Sequence, residues 1–284
     1  MDKVFRLVVS CPDKLGIVAM VSNMIAKYSG SIREASQHTD FIDNWFFMRY
    51  EIGSGISPFD VEGFRKEFSD ASTGFEMSWR LINAHEPKKV VLMASKDPHC
   101  PLDILHRWKS GELNCDIQCM ISNHKDMEEM AGWYNIPYYH VPVIKDKKEE
   151  AFSRVNELIE EYGSDVVVLA RYMQIIPPEL CTKYAGRIIN IHHSFLPSFV
   201  GAKPYEQAYN RGVKLIGATS HYVTEELDAG PIIDQDVVRV SHSVSKEEMI
   251  RLGKDVEREV LSRGFRYHLE DRVLIHGNKT VVFD

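Results

Sequence analysis

From Val90 onward the chain alternates short apolar runs with segments whose apolar residues recur at helical spacing. Val90 to Ala94, Asp116 to Ser122, Tyr138 to Val141, Val166 to Leu169 and Ile188 to Ile191 read as strands. Pro101 to Ser110, Asp126 to Tyr134 and Lys147 to Tyr162 read as helices between them. In the last of these, Phe152, Val155, Leu158, Ile159 and Tyr162 fall on one face. Strands that show no polar side are buried on both faces, the mark of a parallel sheet under two helical layers. The pattern predicts an α/β domain with a Rossmann-like, mostly parallel sheet. Two more strands are expected at Lys214 to Val223 and from Ile232. Ser245-Lys246-Glu247-Glu248 is a capping box that opens a closing helix through Met249, Leu252, Val256, Val260 and Leu261.

The first 86 residues follow a different grammar. A strand from Val4 to Ser10 runs into the turn Cys11-Pro12-Asp13-Lys14-Leu15-Gly16. Ile17, Met20, Val21, Met24, Ile25 and Tyr28 then form one helical stripe that ends before Gly30. Strands are expected at Ile32 to Thr39 and Trp45 to Ile52, a helix at about Pro58 to Asp70, and a last strand at Phe75 to Ala84. The order βαββαβ predicts a ferredoxin-like sandwich. Ala84 to Lys89, polar and carrying Pro87, reads as the linker, so the expected domains are 1–86 and 87–284.

Composition narrows the classes of function. Lys and Arg number 34 against 41 Asp and Glu, a net charge of -7, with no basic block to track a phosphate backbone. Nucleic acid is therefore not expected as the main partner. The longest aliphatic runs, such as Val166 to Ala170, are far too short to span a membrane. The start, Met1-Asp2-Lys3-Val4-Phe5-Arg6, does not resemble a signal peptide. Cys11, Cys100, Cys115, Cys119 and Cys181 are scattered and odd in number, as free thiols in a reducing cytoplasm would be.

In open parallel sheets ligands bind beyond the carboxyl ends of the strands. After the first such strand comes Ser95-Lys96-Asp97-Pro98-His99-Cys100, which lacks the glycines of a phosphate cradle and puts Asp97 where an anion would sit. A dinucleotide or phosphosugar site is not expected there. Ile188-Ile189-Asn190-Ile191-His192-His193-Ser194-Phe195-Leu196-Pro197 holds more chemistry. Asn190 and His192 share a strand face, an amide donor beside an imidazole. That pair suits reaction at a carbonyl, where the amide stabilises the oxyanion and the imidazole moves protons. A lone histidine after a strand is more often an ordinary core residue. Asp228, in the turn before Gly230-Pro231, could complete the set as the carboxylate that orients the base. Glu225 and Glu226, taken singly, read as a solvated acidic turn. The twelve histidines include no recognised metal-ligand spacing, and no metal is expected.

These residues resemble the signature of the formyl-transfer enzymes that use 10-formyltetrahydrofolate. The resemblance rests on Asn190-Ile191-His192, Ser194-Phe195-Leu196-Pro197 and Leu227-Asp228-Ala229-Gly230-Pro231-Ile232-Ile233, with the family's interval between Asn190 and Asp228. Gly201-Ala202-Lys203-Pro204-Tyr205, Ile216-Gly217-Ala218-Thr219-Ser220-His221-Tyr222 and the double histidine at 192 and 193 bring it nearest to the hydrolytic, deformylase branch. The transferases acting on glycinamide ribonucleotide usually carry proline at position 193. The resemblance implies hydrolysis of 10-formyltetrahydrofolate to tetrahydrofolate and formate, serving purine synthesis, with Asn190, His192 and Asp228 catalytic and no cofactor. It implies a folate site along Met173, Gln174, Ile175, Ile176 and Val223, Thr224, Glu225, Glu226. The front unit resembles an ACT domain, which implies an amino-acid effector near Asp13 and Gly16, and a homodimer or homotetramer. Two alternatives stay open: transfer of the formyl group to an amine such as glycinamide ribonucleotide, and a folate- or amino-acid-binding sensor without turnover. The roles of His193 and His221 are not assigned by the resemblance.

Overall fold

The computed structural model describes residues 3–198 and 204–283. They form two compact units, residues 3–87 with 270–276 and 281–283, and residues 88–198 and 204–269 with 277–280. The first unit runs β1 (Phe5–Pro12), α1 (Ile17–Lys27), β2 (Gly30–Asp40), β3 (Trp45–Ser54), α2 (Val61–Thr73) and β4 (Ser78–Asn83). Its strands lie antiparallel in the order β2-β3-β1-β4. Helix α2 starts later than Pro58 because Asp60 is its N-cap, the carboxylate accepting the Gly63 N–H at 3.0 Å.

Side chains alternate across a strand, so β1 serves two cores. Leu7 and Val9 pack with Ile17, Val21, Ile25, Phe64 and Phe68 beneath the helices. Val8 lies on the other face with Phe47, covered by Leu274 and Phe283 from the end of the chain. The return of the tail is absent from the boundary read at 86 and 87. Its cause is visible in the strands themselves, since Val8, Phe47 and Ile82 give the sheet a second apolar face that the first 86 residues leave uncovered.

The second unit comprises β5 (Lys88–Ala94), α3 (His99–Ser110), β6 (Cys115–Ser122), α4 (Glu128–Trp133), β7 (Tyr138–His140), α5 (Lys148–Glu161) and β8 (Val166–Leu169). It continues with α6 (Pro178–Lys183), β9 (Ile188–His192), α7 (Pro204–Arg211), β10 (Leu215–Tyr222), β11 (Ile232–Arg239) and α8 (Lys246–Leu269). The sheet order is β11-β10-β9-β8-β5-β6-β7. From β9 to β7 neighbouring strands are parallel, while β10 and β11 run antiparallel at one side. Val91, Met93, Val167 and Leu169 face α5, which contributes Phe152, Val155 and Leu158. The helix α8 packs on β9, β10 and β11, and against α3. At its start Ser245 Oγ accepts the Glu248 N–H at 3.1 Å, one half of the expected capping box. Sequence periodicity misses α6 and α7, because six and eight residues are too few to display a repeat.

Candidate active site

The site forms where the sheet changes direction. β9 ends on Asn190, Ile191 and His192, and antiparallel β10 sets His221 opposite Asn190 and Thr219 opposite His192. Directly opposed residues project to the same face, so this register brings a second histidine to Asn190. Thr219 Oγ1 donates to the Ser194 carbonyl at 2.9 Å and accepts the Leu196 N–H at 3.0 Å, which ties down the chain leaving β9. Asp228 arrives on the turn between β10 and β11 with a left-handed φ of 56°. The turn closes tightly: a Cβ at Gly230 would run into the Tyr222 carbonyl.

The hydrogen bonds determine which nitrogen carries each proton. His192 Nδ1 lies 3.2 Å from Asp228 Oδ2. An ionised carboxylate only accepts, so Nδ1 carries the hydrogen, and in the neutral ring Nε2 holds the lone pair. That Nε2 is buried and has no hydrogen-bond partner among the described residues. His221 Nδ1 donates to the Tyr222 carbonyl at 2.9 Å, leaving its Nε2 to accept from Asn190 Nδ2 at 3.1 Å. His221 thereby fixes the orientation of the Asn190 amide. Its Nε2 is 3.8 Å from Asp228 Oδ1, beyond hydrogen-bonding distance. Burial pushes the Asp228 carboxyl up, but the hydrogen bond and charge of His192, with His221 behind, hold it below the usual carboxylate range. Burial keeps His221 below the ordinary imidazole value. For His193, burial first and then the Arg171 charge bring the value down to about 4.

Asn190, His192, His193 and Asp228 line one cavity of about 830 Å³. Met173, Gln174, Ile175, Ile176, Val223, Thr224, Glu225 and Glu226 line it too, so all eleven residues expected at the site border the same space. Met173, Ile175 and Leu227 are large apolar side chains left exposed, while Ile176 is buried and joins the core beside α5. The Met173 N–H is already donated to Ser95 Oγ at 2.9 Å. Asp13 and Gly16 belong to the other unit, in the turn between β1 and α1, where Gly16 has φ 93°. Gly201, Ala202 and Lys203 of the motif lie outside the described residues.

Sequence reasoning left His221 without a role and overlooked Arg171 and Glu257. Their placement depends on strand register and helix docking, which no local pattern records. Glu257, 1% exposed on α8, meets His99 Nε2 at 2.8 Å and Tyr205 Oη at 2.5 Å. Burial raises its carboxyl, but His99, Arg171 and Tyr205 outweigh that and hold it low. His99, Cys100 and Glu257 lie close enough to share a metal ion. The Glu257 carboxylate, however, is engaged by three side chains, one of them a guanidinium that would repel a cation.

A model of the formyl transferase family matches residues 88–264. A formyltetrahydrofolate deformylase of Bacillus subtilis is 45% identical over 98% of this chain and 93% of its own length. The crystal structure of a formyltetrahydrofolate deformylase from Pseudomonas syringae superimposes with a TM-score of 0.97 at 62% identity, covering 99% of this chain and 95% of that one. A glycinamide ribonucleotide transformylase from Symbiobacterium toebii matches with a TM-score of 0.67 at 28% identity, and 97% of it is covered by 72% of this chain. The transformylase thus matches only part of this chain, whereas the deformylases match from end to end, and the chain belongs to the formyl transferase family in its formyltetrahydrofolate deformylase branch.

Proposed function

We propose that this protein hydrolyses 10-formyltetrahydrofolate to tetrahydrofolate and formate. The observation that carries the chemistry is the pairing of buried His192 with half-buried Asp228, which leaves His192 Nε2 unpartnered among the described residues and beside the Asn190 amide in one cavity. Asn190 donates its remaining amide hydrogen to the formyl oxygen and holds the tetrahedral oxyanion. His192 Nε2 takes a proton from the attacking water while Asp228 accepts the Nδ1 hydrogen and stabilises the imidazolium. When the carbon–N10 bond breaks, His192 returns the proton to N10, and formate leaves. The apolar side chains of Met173, Ile175 and Leu227 suit the flat, aromatic parts of a folate, with backbone groups of residues 173–176 and 223–226 reading its polar edge. No cofactor is assigned on this reading, since His192 and Asp228 handle the proton and Asn190 the oxyanion.

Formate release by the purified protein, with no amine present, tests the reading. Asn190→Ala should fall by about 10²–10³ in kcat, the usual loss for one oxyanion donor. Asp228→Asn should fall at least as far. Near-wild-type turnover by either variant would overturn these roles, and tetrahydrofolate formed only when an amine is supplied would favour transfer. Folate binding with no turnover would favour a sensor. In the front unit, the βαββαβ order supports an ACT-type role in assembly as a homodimer or homotetramer, or in sensing an amino acid near Asp13 and Gly16. The five buried, unbonded cysteines support a cytoplasmic location, where the formate released would feed purine synthesis.

A further inference from the structure

The residues assigned to the folate share their cavity with a cluster of charges. Arg171, two residues beyond the end of β8 and 9% exposed, also lines it and turns its guanidinium toward two carboxylates. Its Nη2 lies 3.1 Å from Asp97 Oδ2, and its Nε lies 3.4 Å from Glu257 Oε2. Asp97 is also paired with Lys254 at 3.3 Å, and Glu257 with His99 and Tyr205. Six side chains, drawn from the loop after β5, from α3, the loop after β8, α7 and α8, therefore meet in one cluster, and all but His99 line the cavity. Arg171 takes φ 64°, a conformation suited to glycine, so a bulky charged side chain is held where the backbone least favours one. A buried ion pair such as Arg171–Glu257 rarely adds net stability, because desolvation offsets the attraction. Its retention beside a reaction centre calls for another use.

We propose that the Arg171–Asp97–Glu257 cluster closes the acceptor side of the cavity, so that water is the only nucleophile to reach the formyl carbon. This rests on the hydrolytic reading above. In a transformylase that shares the core, the second substrate is an amine carrying a phosphate. Here the charges of Arg171, Lys254, Asp97 and Glu257 offset one another, so the wall offers an incoming amine no anchoring charge. The Arg171 guanidinium is neutralised by two carboxylates and offers a phosphate little, and its bulk fills the space a larger acceptor would need. Water needs none of that room, and formate leaves as a small anion.

The test supplies glycinamide, a small amine, together with 10-formyltetrahydrofolate. Attack by its nitrogen would form a new amide, break the carbon–N10 bond and leave the proton on N10. Wild type should give tetrahydrofolate and formate in equal amounts. Arg171→Gly, which suits the local backbone, should form at least about tenfold more formylated glycinamide than wild type, with tetrahydrofolate exceeding formate by that amount. A folded R171G that still makes tetrahydrofolate and formate in equal amounts overturns the proposal. Glu257→Gln gives a second readout that needs no turnover. With one carboxylate neutralised, Arg171, whose Nη1 has no hydrogen-bond partner among the described residues, should bind inorganic phosphate at least about tenfold more tightly than wild type by calorimetry. Equal phosphate affinity in the two proteins counts against the cluster's role. Absence of formate release by wild type would instead refute the hydrolytic reading, whichever way phosphate binding turns out.

Discussion

Replacing His193 by Gln should flatten the response of stability to acid, and the size of the change follows from the site of the ring. Burial, with Arg171 adding its charge, brings His193 down to about 4 in the folded protein. In the unfolded chain the same ring takes its proton near pH ~6.5. Between these values the unfolded state binds a proton that the native state refuses, so stability falls as pH falls through this window. At pH ~4 the loss relative to neutrality amounts to about 3 kcal/mol. Glutamine fills part of the ring's space, keeps a polar end and does not titrate. The difference between the two proteins should therefore shrink by about 3 kcal/mol on going from neutrality to pH ~4, independently of the carboxylates they share. Urea unfolding of both proteins at several pH values measures it. Parallel stability curves across that range would refute the reasoning, because they would mean that His193 is as easily protonated in the folded state as in the unfolded one.

Two further outcomes follow from the packing of the site. His221→Ala frees the Asn190 amide to rotate, so kcat should drop about tenfold or more with KM little changed, the signature of a positioning residue. A rise in KM alone would show that His221 instead shapes the folate site. Gly230→Ala forces a Cβ against the Tyr222 carbonyl and shifts the turn that carries Asp228. A displacement near 1 Å should lower activity about 10²-fold while circular dichroism stays native, and unaltered turnover would mean that the turn relaxes without moving the carboxylate.

Where one strand's own pattern governs, the sequence is a good guide. The double burial of Val90 to Ala94 and Val166 to Leu169 announces a parallel sheet, because a wholly apolar run has nowhere to lie but between two layers. Asn190 and His192 are legible as partners for a similar reason, since the two-residue repeat of a strand puts them on one face before any packing is known. Asp228 carries a weaker local signal, the turn chemistry before Gly230-Pro231, and its link to His192 needed the family's interval as well as the residue types. The second apolar face of the front sheet was also there to read in Val8 and Phe47, though the strands do not say which segment covers it.

His221, Arg171 and Glu257 are different. His221 reaches Asn190 only because β10 runs antiparallel to β9 in one register, and a slip of one residue would turn it to the opposite face. Glu257 meets Arg171 across a long sequence interval because α8 docks beside α3 and the end of the sheet. The sequence by itself determined the layered fold and the residue types able to do carbonyl chemistry, because periodicity and turn preference act over a few neighbouring residues. Only the tertiary structure decided which nitrogen of His192 faces Asp228, what orients Asn190 and which charges share the cavity with the folate residues, because tautomer, amide orientation and buried charge depend on partners that the chain brings together from a distance.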